Sequence, residues 1–234
     1  VADYWGAYAP KLFTPGERYH YADANVDTLA ALITAATGKP TEALIQQRLL
    51  QPLGMADTLS LLRADDARVE RVATKHAGGS RRWKPFWRWQ GKPYFSFPMF
   101  AQGAYSTPRD YARFLAMICD GGVANGGPAD GKRLLSEAAI ARILTPASQT
   151  TMPTGFARLN SSYGQLMHLY DREGEVMVFG HSGSDGTYAW AWPEEDLLVL
   201  YFTQSRGSGT MFRMEAVIDS LLARPVPSGK TAGR

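Results

Sequence analysis

The sequence predicts an α+β protein, with a helix-rich first part followed by an antiparallel sheet and a closing C-terminal helix. Three observations carry this. In the first part, apolar residues recur at helical spacing between capping and breaking residues. After about residue 160 the apolar runs shorten, become rich in β-branched and aromatic residues, and are separated by turn-like links. A last run, TMFRMEAVIDSLLA (210–223), returns to helical spacing. The predicted regions are 1–158 (helix-rich), 159–223 (sheet and closing helix) and a disordered tail, 224–234.

Residues 1–20 read as an irregular lead-in with turns at Pro10 and Pro15-Gly16. In NVDTLAALITAATG (25–38), Val26, Leu29 and Ile33 fall on one helical face and Gly38 suits the C′ position. PTEALIQQRLLQPLGM (40–55) predicts a second helix, with Leu44, Ile45 and Leu49 apolar and Pro52 marking its end. STPRDYARFLAMICDGG (106–122) opens with Thr107 as cap, Pro108 at the first helical position and Asp110 three residues after the cap. Ser136 caps a further helix, EAAIARIL, after the polar loop GGVANGGPADGKR (121–133). The predicted strands are SYGQLMHLYD, EVMVFGH, TYAWAWP and LLVLYFTQS, joined by REG, SGSDG and EED. Links this short favour an antiparallel meander.

The chain has 234 residues, 45% apolar and 20% charged, as in ordinary soluble globular proteins. It has no apolar run of spanning length. The start, VADYWGAYAP, has neither Met nor the basic and apolar segments of a signal peptide, so a processed or truncated chain is expected. The single cysteine, Cys119, excludes an internal disulfide and zinc-ribbon spacing; on the apolar face of DYARFLAMIC it reads as an inert thiol. One cysteine leaves the compartment open between cytoplasm and periplasm. The net charge is +3, yet 80–95 alone holds Arg81, Arg82, Lys84, Arg88 and Lys92 and no acid. The remainder is therefore slightly acidic, which argues against a nucleic-acid partner.

Spacing bears on four chemistries. Gly126, Gly131 and Lys132 match part of a phosphate-binding loop, but Arg133 stands at the magnesium-binding hydroxyl position and Pro128 removes a backbone donor. His20, His76, His168 and His181 are scattered without ligand spacing, so neither metal nor cofactor is expected. A nucleophile elbow needs Gly on both sides of its Ser; Ser182 has Gly180 before it but Ser184 after it. In 80–95, Trp83, Phe86, Trp87, Trp89, Tyr94 and Phe95 interleave with the cations. This reads as a surface flap with its aromatics packed inward, or as a flap whose Trp87 and Trp89 border a substrate pocket.

Three segments together resemble the serine β-lactamase-like hydrolases: class C β-lactamases, DD-peptidases and related esterases. FTPGERYHYADANVDTLAALITAATGKPTEALIQQRLLQPLGMADT (13–58) is similar to the family's second-motif region. GAYSTPRDYARFLAMICDGG (103–122) resembles a family helix, and FGHSGSDGT (179–187) the third motif in its His-x-Gly form. The segments stand in the family's order. The resemblance implies a β-lactamase/transpeptidase-like fold and an acyl-enzyme mechanism on a small ester or amide. In it the serine of a Ser-x-x-Lys motif attacks a carbonyl, and a Tyr shares the proton transfers. By the same resemblance Tyr21 is the catalytic Tyr and Ser184 supplies an oxyanion-hole N–H. His181 matches the third-motif cation position, and Gly183 is the close-approach glycine. Asp23 stands where many members have Asn; an ionised carboxylate donates no hydrogen bond to a substrate amide, which favours esters.

One departure stands out. No Ser in the chain has Lys three residues later; the nearest matches, SLLR (60–63) and STPR (106–109), end in Arg, which stays protonated. The nucleophile helix and first strands are therefore expected in a missing N-terminal segment of the same protein, with the chain alone inactive. The alternative is a non-catalytic binding module that keeps the pocket.

Overall fold

A six-stranded antiparallel sheet, in which spatial order follows chain order, frames the molecule. Its strands are β3 (Ser148–Gln149), β4 (Asn160–Tyr163), β5 (His168–Arg172), β6 (Glu175–Gly183), β7 (Thr187–Trp192) and β8 (Leu197–Phe202). The computed structural model describes residues 7, 11–14, 16–79, 82–92, 99–150, 155, 156 and 158–222. The disordered tail predicted for 224–234 lies outside them, as do Pro10, Pro15, Tyr94 and Phe95. A second, three-stranded sheet joins β2 (Lys84–Trp87), β1 (Lys75–Ala77) and β9 (Ser205–Arg206), with β1 and β9 parallel.

The helices are α1 (Asp23–Thr37), α2 (Thr41–Ile45), α3 (Pro108–Cys119), α4 (Glu137–Ile143) and α5 (Thr210–Leu222). Thr107 Oγ1 accepts from the Asp110 N–H at 3.2 Å, and Ser136 Oγ from the Ala139 N–H at 3.2 Å, so both predicted caps form. Gly38 takes the left-handed conformation (φ 66°) that ends α1. The helix predicted over 40–55 is α2 continued by a wider π-helical turn, Gln46–Leu50, ahead of Pro52. The strand run predicted over 162–171 is two strands. Its middle folds into a turn in which the Gly164 N–H bonds the Met167 carbonyl and Leu166 has φ 59°.

Strand alternation divides the sheet into two apolar faces. Leu169, Phe179, Ala189 and Ala191 meet Leu115, Met117 and Ile118 of α3 and Leu50, Leu53 and Met55. On the other face Tyr170, Val178, Tyr188, Trp190 and Trp192 meet Ile218 of α5. The first core thus draws on residues either side of 158/159, so that predicted division is one of composition and not of packing. The apolar stripe expected on α1 is turned differently. Asp27 and Ala30 are the buried residues, while Leu29 and Leu32 are exposed. Asp27 faces inward because its carboxylate accepts the Ala101 N–H at 3.0 Å. No helix among the described residues is long and apolar enough to cross a membrane.

Candidate active site

Three elements converge at one end of the large sheet: the segment leading into α1, the end of β4, and His181 near the end of β6. Tyr21 immediately precedes the N-cap of α1, and its ring is half exposed. It lies 6.2 Å, centroid to centroid, from both Tyr163 and His181. Asp23, the first residue of α1, accepts a hydrogen bond from Gln102 Nε2 at 3.2 Å. Asp27 and Asp23, four residues apart, thereby tie successive residues of the loop before α3 to one face of α1.

His181 projects from β6 on the same face as Phe179. Its Nδ1 is 2.7 Å from the Ser182 carbonyl oxygen, which can only accept, so Nδ1 carries the proton. In the neutral ring Nε2 is then an acceptor, and the Tyr163 hydroxyl donates to it at 2.8 Å. Burial pushes the His181 pKa down, outweighing the opposing effect of the Ser182 contact. The position that matches the third-motif cation therefore holds a neutral imidazole with both nitrogens engaged. Burial also pushes Tyr163 well above the ordinary phenol range, so it remains a donor. His168 stacks on Tyr163 at 4.8 Å and bonds Ser161 Oγ through Nε2 at 2.7 Å; burial, then repulsion by His181, lowers its pKa to about 4.

Gly183 ends β6 opposite Thr187. A Cβ there would sit 2.1 Å from Thr187 Oγ1, so the close approach that demands glycine is made by the chain's own hairpin. The Gly186 N–H bonds the Gly183 carbonyl at 3.0 Å and closes a β-turn with Ser184 and Asp185 at its centre. The N–H of the first central residue takes no part in that closing bond, and Ser184 is exposed. Ser182 points the other way, where its Oγ accepts from Trp190 Nε1 at 3.1 Å.

Among the described residues, none supplies Tyr21 with the cationic neighbour that a phenolate needs. Burial, then the charge of Asp23, then Tyr19 raise its pKa. Trp87 and Trp89 pack with Leu59, Leu62, Val69 and Tyr105 in a small third core, whereas Trp83 and Phe86 are exposed. The flap thus turns some aromatics in and others out. Trp87 stacks on Tyr105 and faces Lys75 Nζ at 5.2 Å. Lys75 in turn bonds Asp185, so Trp87 borders the third-motif turn at one remove.

The polar loop 121–133 folds on itself. Asp130 Oδ1 accepts the Gly126 N–H at 2.6 Å, so a carboxylate already occupies a donor that a phosphate would need. Cys119 packs against the first core, and burial with nearby Asp120 and Asp196 pushes its thiol up to about 11, as an inert thiol requires. Four residues of the site carry no mark in the sequence: Tyr163, Gln102, Lys75 and Arg206. Each belongs to a common residue type with no spacing to another site residue, and only the fold brings it in.

The fold is of the β-lactamase/transpeptidase-like type, and comparison with known proteins places the chain in one family. The family model described as Beta-lactamase matches residues 3–223, and the chain belongs to that family. Protein Rv1367c of Mycobacterium tuberculosis is 28% identical over 214 residues, 83% of this chain and 51% of that protein. Penicillin-binding protein 4 of Amycolatopsis lactamdurans is 29% identical over 168 residues, 71% of this chain and 41% of that protein. The crystal structure of a penicillin-binding protein from Bacillus halodurans superposes with a TM-score of 0.68 at 18% identity. The match covers 94% of this chain and 62% of that one. The chain spans about half the length of the curated relatives it matches.

Proposed function

We propose that the chain is part of a serine hydrolase that works through an acyl-enzyme on small esters or amides, with esters favoured. The observation that carries this is the approach of Tyr21 to His181, rings 6.2 Å apart, on the strand that leads into the Ser184 turn. In this reading a carbonyl substrate enters beside Tyr21, and the Ser184 N–H stabilises the oxyanion. His181, neutral and fixed by Tyr163, forms the wall of the pocket, and Tyr21 exchanges the proton. The nucleophilic serine and its lysine come from a Ser-x-x-Lys segment outside residues 1–234, because no such motif occurs within them. Asp23, an acceptor toward Gln102, offers no donor to an amide carbonyl, which supports esters.

The test is labelling of the full-length protein with an active-site phosphonate. Stoichiometric labelling on a Ser-x-x-Lys serine is expected, and Tyr21→Phe should cut ester turnover at least about tenfold. Residues 1–234 alone should not label. Full activity in Tyr21→Phe would remove Tyr21 from the mechanism.

One observation favours a second reading: the surroundings of Tyr21 hold it as a phenol. A non-catalytic module that binds such ligands without acylation would need no phenolate. Reversible ligand binding by a full-length protein that never labels would select this reading.

A further inference from the structure

The turn that carries Ser184 also carries Asp185, whose two carboxylate oxygens are taken by two different cations. Lys75 Nζ lies 2.8 Å from Oδ2 and Arg206 Nε 2.7 Å from Oδ1. Asp185 and Lys75 are largely shielded, with 13% and 17% of their side chains exposed. The cations come from β1 and β9, which pair in parallel with Ala77 opposite Arg206. The small sheet therefore grips the β6–β7 turn of the large sheet from outside.

The grip is braced by rings. Lys75 Nζ faces Trp87 at 5.2 Å and Tyr105 at 5.8 Å, and the Arg206 guanidinium lies 4.4 Å over Phe86. Two aromatics of the basic-aromatic stretch thus act on cations outside that stretch. Thr203 Oγ1 donates to the Gly186 carbonyl at 3.1 Å and fixes the other side of the turn.

We propose that Asp185 is a positioning residue for the third-motif turn: held by Lys75 and Arg206, it sets where the Ser184 N–H points. This rests on the acyl-enzyme reading above. A shielded carboxylate that loses its charge leaves two cations without their partner, and the turn, residues 183–186, holds no second carboxylate. Burial opposes ionisation of Asp185, but the hydrogen bonds from Lys75 and Arg206 outweigh it and hold the carboxyl below its ordinary range. The carboxylate form that the bridge needs is therefore the one present at neutral pH.

The test uses the full-length protein. Asp185→Asn should lower kcat roughly a hundredfold, the scale of a misplaced oxyanion donor, with KM changed less than about threefold. Asp185→Glu should recover at least about a tenth of wild-type kcat. Glu137→Gln, which breaks the exposed Arg133–Glu137 pair, should leave both constants unchanged. Amide exchange at Gly186, whose N–H closes the turn, should quicken at least about tenfold in Asp185→Asn while the α3 amides keep their protection. If Asp185→Asn does not fold, Arg206→Gln, at the more exposed cation, replaces it with the same expected direction. Wild-type kcat per labelled serine, or unchanged exchange at Gly186, would overturn the proposal. A wild-type protein that never labels would defeat the acyl-enzyme reading instead, and the exchange measurement would still decide the bridge.

Discussion

Acidification should destabilise this protein through His168. The ring is buried (5% exposed) between Tyr163, Tyr170 and Trp190. Its pKa is lowered to about 4, against about 6.5 in the unfolded chain. The native state thus binds fewer protons than the unfolded state between these values, so this contribution is complete above the unfolded pKa. It is lost as pH falls from there toward 4. At 1.36 kcal/mol per unit, a gap of about 2.5 units corresponds to roughly 3 kcal/mol. His168→Phe keeps a flat ring in the stack but cannot bind a proton. It should cost about 1 kcal/mol at every pH, because Ser161 loses its partner. Urea unfolding followed by tryptophan fluorescence at pH 7, 6, 5 and 4 measures the difference. Wild type should lose roughly 3 kcal/mol more than the variant between pH 7 and pH 4. Parallel curves for the two proteins would refute both the burial argument and the assignment of a neutral ring.

Other perturbations follow from the same contacts. Tyr163→Phe removes the donor to His181 Nε2 and should cost about 1–3 kcal/mol. The His181 pKa should rise in an NMR titration, since the neutral ring loses a bond that favours it, yet stay depressed, because the burial that lowers it remains. Gly183→Ala should destabilise by about 1–3 kcal/mol through the clash with Thr187 Oγ1, and a Thr187→Ala background should relieve most of that cost in a double-mutant cycle. Asp110→Ala, at a buried carboxylate that accepts from the Asp57 N–H and Thr58 Oγ1, should lower stability by at least about 2 kcal/mol in thermal unfolding.

What could be read from the chain divides along physical lines. The order of elements was legible because caps, breakers and apolar period are local signals. Thr107, Ser136 and Gly38 stand where the helices begin or end. The split of 162–171 was not legible, because the turn at Gly164 is set by contact with another element: a Cβ there would meet the Ile143 carbonyl at 2.0 Å. The facing of α1 is not legible in its apolar spacing, because a buried aspartate, held by a loop 74 residues away, outweighs two exposed leucines. Within the site, Tyr21, Asp23 and His181 stood out by resemblance to a family. Tyr163, Gln102, Lys75 and Arg206 did not, because each acts only through a long-range contact.

The environment of Tyr21 also bounds what any catalytic use of it requires. Burial and the Asp23 charge move its pKa up from 10.0, and the nearby imidazole is neutral and contributes no compensating charge. Bringing the phenol to neutral pH takes a shift of at least about three units, or roughly 4 kcal/mol. One full positive charge about 4 Å from the phenolate oxygen supplies that amount at an effective dielectric constant near 20. A second hydrogen bond from a neutral donor contributes about 1 kcal/mol and falls short. A base role for Tyr21 therefore demands a single close cation, which in the proposed mechanism is the lysine of a Ser-x-x-Lys segment. Replacing such a lysine by methionine in the full-length protein should abolish both acylation and any low-pH phenolate signal in ultraviolet difference spectra. A phenolate that persisted without the lysine would require a different source of charge.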